Sequence, residues 1–584
     1  MTVTDPLSLP PVTPPAPRRS SPLLIIGGLA VGLLLILVGA GALAFNLLTQ
    51  RASAIPELLP ADTQIYAAIT PNLSDLPNID RLRRAFPETF DYQNTDTTTD
   101  FLQERFGVTF AEDIAPWIGP EAAFAVHGAP IERFGEIANG GAINPVFPAS
   151  PLDPPPAVDQ FDGNVLLIVA ARDQQAAQAF LDKQRAFREQ QGERFTSNTV
   201  NNVTIYASES DETPFAAFAL ARDMVVFANN AASIQALIEQ RSETALARSP
   251  QYQAVTQSLP GDRIGTIYLA GDTIARLINT LIEQNNLDDG NTAAADALAA
   301  SQALQGVGLT MAVIESGLRF DAVTVFDQNR LSSSLRERLS SFRPVVSADR
   351  AGDVSSAAIG VFSFAIPADW GTQLRTQLEA NPDTSNTLRN LEDSLNLDLE
   401  QDLFRWFHGE GVIVVLPGSS ADLQATGYFA LRIADQDAAR QGMRRLSELV
   451  EDLVGIRFSE TSLGRTQVQA FEEGDLFVGY GFNGNDLVIA VGRSAMEAAF
   501  GAEQKLSNFS IYTDALRAMP TPNSGILYVN LTAVRELNNR LSDQPIDRDL
   551  ERRLEPFRAI TSGGTAGIDN RGAARGTLLL SIQP

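Results

Sequence analysis

The sequence predicts an α+β fold in which an N-terminal transmembrane helix precedes a duplicated, two-lobed ectodomain. Each lobe is predicted to be a largely antiparallel sheet with helices packed on it. One observation behind this prediction is a single long apolar run near the N-terminus, and another is the alternation of short strands with one-sided helices. The third is that the segment Phe106 to His127 returns, without a gap, as Leu395 to Leu416.

The composition limits the class of protein. At 584 residues the chain is longer than one hydrophobic core normally covers, so two or more domains are expected. The net charge of -26 and the pI near 4.5 argue against a nucleic-acid partner, because phosphates require a basic surface. The chain has no cysteine, which excludes disulfides, thiolate catalysis and iron–sulfur ligation.

The N-terminal region is predicted to be a membrane anchor. Residues 1–21 are rich in proline and are expected to form a disordered cytoplasmic tail. Residues 22–48 are predicted as a transmembrane helix that contacts the lipid bilayer through Leu23 to Leu48. Within it, Leu23 to Phe45 carries no charged side chain, and as a helix it would extend about 35 Å, enough to cross a bilayer.

The flanking arginines indicate the orientation of this anchor. Arg18 and Arg19 precede the span and Arg51 follows it, so the positive-inside rule favours a cytoplasmic N-terminus and an extracytoplasmic C-terminal ectodomain. The alternative is a signal peptide cleaved after Ala54, because Ala52-Ser-Ala54 resembles a cleavage site. The apolar run is longer than that of a signal peptide, which favours an uncleaved anchor.

The remaining chain is predicted to contain a linker at 49–58 and two α+β repeats at 59–343 and 344–584. The repeats match beyond the tryptophan segments, since the strand around Tyr268 aligns with the strand around Tyr528. The first repeat alone has a Pro/Gly-rich loop at 129–161. This loop is either tolerated surface length or a partner-binding arm.

The elements of the two repeats follow one order. In the first repeat the pattern predicts a strand at Gln64 to Thr70, a helix near Asp80 to Phe86, a strand at Val165 to Arg172 and a helix capped by Asp173. In the second repeat Asp435 is the corresponding cap. The last block of each repeat, Gly306 to Phe326 and Ser562 to Ile582, is predicted to be two strands around a turn.

Three residue types recur at matching points of the duplicated segments: Asp113, Trp117, Glu121, Asp402, Trp406 and Glu410. Their recurrence favours a structural role, in which the aspartate caps a helix or turn and the tryptophan fills the place where a helix meets the next strand. The alternative is glycan hydrolysis by paired carboxylates, either Asp402 with Glu410 or Asp113 with Glu121.

The chain has two histidines, and each is a candidate for catalysis. His127 ends an apolar strand, where a structural explanation is ordinary. His408 lies between Trp406 and Glu410 and is the better candidate for a general base. However, the sequence contains neither a GxSxG nucleophile elbow nor an HExxH zinc motif, so no cofactor or metal is predicted.

These residues resemble a known family. A single N-terminal span, the opening Leu59-Pro-Ala-Asp-Thr63 and the segments Asp113 to Glu121 and Asp402 to Glu410 are similar to the bacterial membrane-anchored family known as domain of unknown function 3352. The second half departs from the opening motif, with Ala351-Gly-Asp353 in its place. The resemblance implies an exported, envelope-associated protein and implies no activity.

The function we expect is that of a non-catalytic binding or scaffolding protein of the bacterial cell envelope, with an envelope protein as its partner. Two alternatives remain open. One is an envelope hydrolase that uses paired carboxylates. The other is a carrier of an apolar ligand, held between a sheet and its helices.

Overall fold

The computed structural model describes residues 54–583 except 70–77, 88–102, 104–105, 131–162, 211–214, 285–291, 342–345, 347, 380–384, 387–388, 391, 394–396, 419–424, 465, 502–503, 542–550, 553 and 566. The predicted tail, the predicted transmembrane helix, the boundary at 343/344 and nearly all of the loop at 129–161 lie outside the described residues. In the part of the chain that is described, no helix is both long and apolar enough to cross a membrane.

The described residues form twenty strands. They are β1 (Ile65–Ile69), β2 (Ile118–His127), β3 (Asn164–Ala171), β4 (Phe195–Val200), β5 (Val203–Ser208), β6 (Ala217–Ala221), β7 (Met224–Ala228), β8 (Gly265–Ala270), β9 (Leu304–Ile314), β10 (Gly317–Phe326), β11 (Gly360–Ile366), β12 (Gly409–Pro417), β13 (Ala425–Arg432), β14 (Ser459–Leu463), β15 (Thr466–Glu473), β16 (Leu476–Asn483), β17 (Asp486–Val491), β18 (Gly525–Asn530), β19 (Phe557–Gly564) and β20 (Ala573–Ile582).

The same residues form thirteen α-helices. They are α1 (Ile79–Ala85), α2 (Gln174–Gln190), α3 (Ala231–Glu239), α4 (Pro250–Thr256), α5 (Gly271–Gln284), α6 (Thr292–Gln302), α7 (Ser333–Ser341), α8 (Ala348–Gly352), α9 (Trp370–Glu379), α10 (Gln436–Val454), α11 (Arg493–Phe500), α12 (Ser510–Ala518) and α13 (Leu531–Leu541). Short polar side chains begin the two long helices as predicted: Asp173 accepts the N–H of Ala176 and Asp435 that of Ala438, each at 3.0 Å.

All the strands belong to one antiparallel sheet. In the first half the strands lie in the order β4, β5, β6, β7, β3, β2, β1, β8, β9, β10. In the second half the order is β14, β15, β16, β17, β13, β12, β11, β18, β19, β20. The predicted α+β class with a largely antiparallel sheet is therefore confirmed.

The two halves of the sheet meet where β10 pairs with β20. The pairing is antiparallel over nine residue pairs, and Asp321 lies opposite Thr577. Both side chains are buried, and the Thr577 hydroxyl donates to Asp321 Oδ1 at 2.7 Å. Arg319 donates to the other oxygen of Asp321 at 2.8 Å. The carboxylate is therefore satisfied by one residue from each half.

Each half has its largest core cluster on one face of the sheet, which we call the inner face. In the first half this cluster contains Tyr66 and Tyr268, and in the second half it contains Tyr428 and Tyr528. Because side chains alternate along a strand, the opposite or outer face carries separate clusters. α2 covers β3, β6 and β7 there, and α10 covers β13, β16 and β17.

The predicted linker at 49–58 has described residues only from Ala54 onward, and these are part of the packed structure. Ile55 and Leu59 are fully buried in the inner core of the first half. The segment Ile55–Glu57 forms one turn of 3-10 helix with Pro56 in its first turn. The folded part of the chain therefore begins at or before Ala54.

Candidate functional site

The first tryptophan segment, residues 109–121, is a tight turn that leads into β2. The backbone forms a π-helical turn at Phe110–Ile114, and the carboxylate of Asp113 accepts the N–H of Thr109 at 2.7 Å. Trp117 is buried, and its indole Nε1–H donates to the carbonyl oxygen of Asp113 at 2.7 Å. Its ring packs against Phe180 of α2, with centroids 5.0 Å apart. The tryptophan thus attaches α2 to the start of β2.

The second tryptophan segment, residues 398–410, has the same arrangement. A π-helical turn spans Glu400–Phe404, Asp402 accepts the N–H of Asp398 at 2.9 Å, and Trp406 Nε1–H donates to the Asp402 carbonyl at 2.7 Å. Here the indole lies directly on the backbone of α10, since a Cβ built on Gly442 would be 2.3 Å from Trp406 Nε1.

Lys183 distinguishes the first segment from the second. Its ammonium group lies 2.7 Å from both carboxylate oxygens of Asp113. Burial opposes ionisation of Asp113, but the bonds from Lys183 and Thr109 outweigh it and hold the pKa of this carboxyl below its usual value. Asp113 is therefore an ionised structural group and a poor proton donor near neutral pH.

Glu121 contacts the first residues of the chain that the structure describes. Its carboxylate is buried and accepts the backbone N–H of Ala54 at 3.0 Å and the hydroxyl of Tyr66 at 3.3 Å. Burial raises the pKa of Glu121, and the bonds from Ala54, Tyr66 and Ile55 offset only part of that rise. The side chain thus fixes the entry of the chain into the first half.

Three tyrosines pack beside Glu121 on the inner face. The rings of Tyr66 and Tyr252 are 6.0 Å apart, and those of Tyr252 and Tyr268 are 5.1 Å apart, both edge to face. Burial raises the pKa of Tyr252 to about 12, and it also raises that of Tyr268. Tyr252 and Tyr268 therefore stay protonated at neutral pH, and their rings stabilise the core.

The corresponding place in the second half holds an ion-pair network. Glu410 lies 3.8 Å from Arg432, which lies 3.6 Å from Asp486. Arg350 of α8 is buried and pairs with the other oxygen of Asp486 at 2.5 Å. In the second half, α8 precedes β11 and is attached to the sheet through the side chain of Arg350. In the first half, the segment that precedes β1 is attached through its backbone N–H groups.

The structure gives Asp402 and Glu410 separate partners. Asp402 accepts the N–H of Asp398, whereas Glu410 pairs with Arg432. Asp113 and Glu121 are likewise held by different groups, Lys183 and Ala54. Each of these four carboxylates therefore makes its own contact with a neighbouring part of the fold, which favours a structural role over glycan hydrolysis.

The histidines lie in unlike surroundings. His408 is partly exposed, and its backbone N–H donates to the Trp406 carbonyl at 2.9 Å. His127 Nδ1 lies 3.4 Å from the Asn164 amide, and burial lowers the pKa of His127 despite the nearby Asp62. Within the described ranges, no group of three or more His, Asp or Glu side chains is placed to hold a metal ion.

Sequence reasoning missed an apolar surface on the second half. We define the outer strip as five side chains on the outer face, each 40–43% exposed: Phe362, Ile413, Val415, Val491 and Leu527. Leu527, Phe362 and Ile413 lie directly opposite one another on β18, β11 and β12. The inner neighbours of these residues, such as Val361 and Val412, belong to the second core.

The sequence carries only a weak signal for this strip. β11 and β12 are apolar at both odd and even positions, a pattern typical of strands that are buried on both faces. The strip can be identified only from the spatial order of β18, β11 and β12. This order places Leu527 beside Phe362 and Ile413, which are more than 100 positions away in the chain.

Comparison with known proteins identifies the family of the chain and gives no activity. None of the curated proteins compared with the chain matches it. A solved structure titled "Structure of crystal form III of TP0453" aligns at 11% identity over 50% of this chain and 89% of that one, with a TM-score of 0.21, too low to bear on the fold. The family model described as "Protein of unknown function (DUF3352)" matches residues 24–582. The chain therefore belongs to the DUF3352 family.

Proposed function

We propose that the chain is a single-pass, membrane-anchored protein of the bacterial cell envelope, whose extracytoplasmic part binds or scaffolds another molecule without catalysing a reaction. The observation that carries the binding function is the outer strip. Contiguous apolar surface is costly to expose to water and typically marks an interaction site.

The anchored location is supported by the apolar run Leu23 to Phe45 and by the way the folded part begins. Only five residues, 49–53, separate the predicted span from Ala54. Fully extended, they would reach at most about 18 Å. Because Glu121 holds the backbone of Ala54, the first half would lie close to the membrane surface.

We also propose that the two α+β repeats, 59–343 and 344–584, arose by duplication. Support comes from the matching strand order of the two halves and from the matching indole bonds of Trp117 and Trp406. The six repeated residues then stabilise each lobe, and the function lies where the lobes differ. The outer strip and His408 are such places, as is the loop at 129–161.

A binding function fits the described contacts better than hydrolysis by paired carboxylates. Asp402 and Glu410 are each engaged by a different neighbour, the Asp398 backbone and Arg432. A double substitution, Asp402→Asn with Glu410→Gln, would abolish any glycan hydrolysis by the envelope fraction if these acids were catalytic. We expect no change in that activity.

Protease accessibility tests the location. Protease added to spheroplasts should digest the chain after Ala54 and spare the tail at 1–21, and lysis should expose both. A tag at each terminus, followed by immunoblotting, reports the two outcomes. Digestion of the tail alone would show that the orientation is the opposite one. Release of the chain from membranes by carbonate would show that no membrane span anchors it.

A further inference from the structure

We propose that the outer strip binds a hydrocarbon chain of a membrane-derived lipid. This inference rests on the proposed function, since it names the class of molecule that the extracytoplasmic part binds. It goes beyond that function by assigning the ligand to the outer face of β18, β11 and β12, with Val491 of β17 at one end.

The chemistry of the strip suits an acyl chain. Its five side chains are all aliphatic or aromatic, and the aromatic surface continues beyond them. The rings of Phe362 and Phe364 stack at 5.5 Å, and Phe364 stacks on Phe429 at 6.1 Å. An acyl chain has no hydrogen bonds to lose in such a place, so its burial is favourable without any polar partner.

Four of the five residues of the strip, those on β18, β11 and β12, lie between two regions of the outer face that helices cover. On one side, α10 and the second tryptophan segment cover β13, β16 and β17. On the other side, Ile79 and Leu82 of α1 pack with side chains of β9, β10 and β20. Within the described residues, Leu527, Phe362 and Ile413 lie on the part of the outer face between these two regions.

Three glycines lie beside Phe364 on the same face of the sheet. Gly525, Gly564 and Gly576 lie opposite one another on β18, β19 and β20, and Gly525 lies opposite Phe364. The pairing of Ile526 with Gly563 places Gly525 level with Gly564. A Cβ built on Gly576 would meet nothing within 4 Å. The outer face therefore carries no side chain at these three positions.

The size of the strip favours a lipid chain over a second copy of the protein. Five side chains that are each about two-fifths exposed present on the order of 350 Å² of apolar surface. A stable protein interface buries roughly 800 Å² on each partner, more than twice this amount. Two copies that each carry a charge of -26 would also repel one another.

The first half provides an internal control. The positions that correspond to Leu527, Phe362 and Ile413 are Ile267, Ala67 and Phe124, which lie opposite one another on β8, β1 and β2. Ala67 stands where the second half has a phenylalanine, and all three side chains are only partly exposed. We therefore expect a lipid chain to bind the outer face of the second half in preference to that of the first half.

The test uses the full chain in lipid nanodiscs with a phosphatidylcholine that carries a diazirine in one acyl chain. After irradiation, mass spectrometry of the digested protein locates the adducts. We expect adducts in β11, β12 and β18, and none in β1, β2 and β8 of the same sample. This comparison needs no variant and therefore does not depend on the folding of one.

Two variants sharpen the test. Phe362→Ser with Ile413→Ser should reduce the adducts in the three strands at least about fivefold. Phe509→Ser is the matched control, because Phe509 is also 43% exposed but precedes α12 on the other side of the sheet, and it should leave them unchanged. Circular dichroism of each variant confirms that it is folded.

Several outcomes would overturn the inference. Adducts confined to residues 22–48 would show contact with the bilayer only, and equal labelling of both halves would show no site. A dimer that dissociates on Phe362→Ser would assign the strip to a second copy. Strip adducts in a protein of reversed orientation would leave the inference standing and refute the proposed location alone.

Discussion

Thr577 donates a 2.7 Å hydrogen bond to Asp321 across the strand pair that joins the two halves of the sheet. The two residues lie opposite each other on β20 and β10, and both are buried. Arg319 holds the second oxygen of Asp321 and also lies 2.7 Å from Asp262. One carboxylate therefore has partners in both halves.

Removal of the Thr577 hydroxyl should destabilise the joined sheet. Thr577→Val leaves Asp321 buried with one oxygen short of a donor, and we expect a loss of about 1–3 kcal/mol. Urea unfolding followed by circular dichroism measures it. Thr196→Val, which removes an exposed hydroxyl on β4, should have little effect. Equal midpoints for the two variants would contradict the role of this bond.

The Glu121 carboxyl should make stability depend on pH. Its pKa is raised above the unfolded value of about 4.5, so the folded state binds the proton more tightly. This contribution is fully present below about pH 4.5 and is lost as the pH rises through the folded-state pKa.

Glu121→Gln should therefore raise the melting temperature at pH 8 and lose this advantage near pH 4, because the amide keeps an acceptor for Ala54 without a buried charge. Glu410→Gln is the control, and it should not stabilise the protein at pH 8, because it removes the ion pair with Arg432. A Glu121→Gln variant that is less stable than the wild type at pH 8 would refute this account.

Gly442 should be intolerant of any side chain. The Cβ of Gly442→Ala would lie 2.3 Å from Trp406 Nε1 and 2.5 Å from the Asp402 carbonyl oxygen, so it would displace the indole from its acceptor. We expect a loss of about 1–3 kcal/mol and a shift in tryptophan fluorescence. Gln441→Ala, on the exposed side of the same helix, should change neither.

Arg350 and Arg432 should differ in their contribution, although both pair with Asp486. Arg350 is buried, and Arg350→Met should cost about 3–5 kcal/mol because it leaves a partly buried carboxylate with only its more distant partner. The Arg432 side chain is half exposed, and Arg432→Met should cost about 0–1 kcal/mol. Thermal unfolding compares them directly, and equal losses would mean that burial does not govern the network.

Local patterns predicted the local structure. The caps Asp173 and Asp435, the helix near Asp80 and the two-strand blocks that end each half are present in the structure. Each depends on residues within a few positions of one another, where hydrogen bonding and side-chain periodicity act directly.

Long-range relationships could not be predicted in this way. The pairing of Asp321 with Thr577 joins residues 256 positions apart, and no local pattern specifies the register. The contact of Glu121 with Ala54 joins residues 67 positions apart, and no local pattern predicts it either. The exposure of Phe362 depends on which helices cover the sheet, and its apolar neighbours in sequence suggest burial.

The pairing of β10 with β20 has a consequence for single halves of the chain. Each is the last strand of its half of the sheet, and the two pair antiparallel over nine residue pairs. A single half expressed alone would expose this strand as an unpaired edge, with a row of free backbone donors and acceptors. In the intact chain the two halves of the sheet satisfy each other's edge through this pairing.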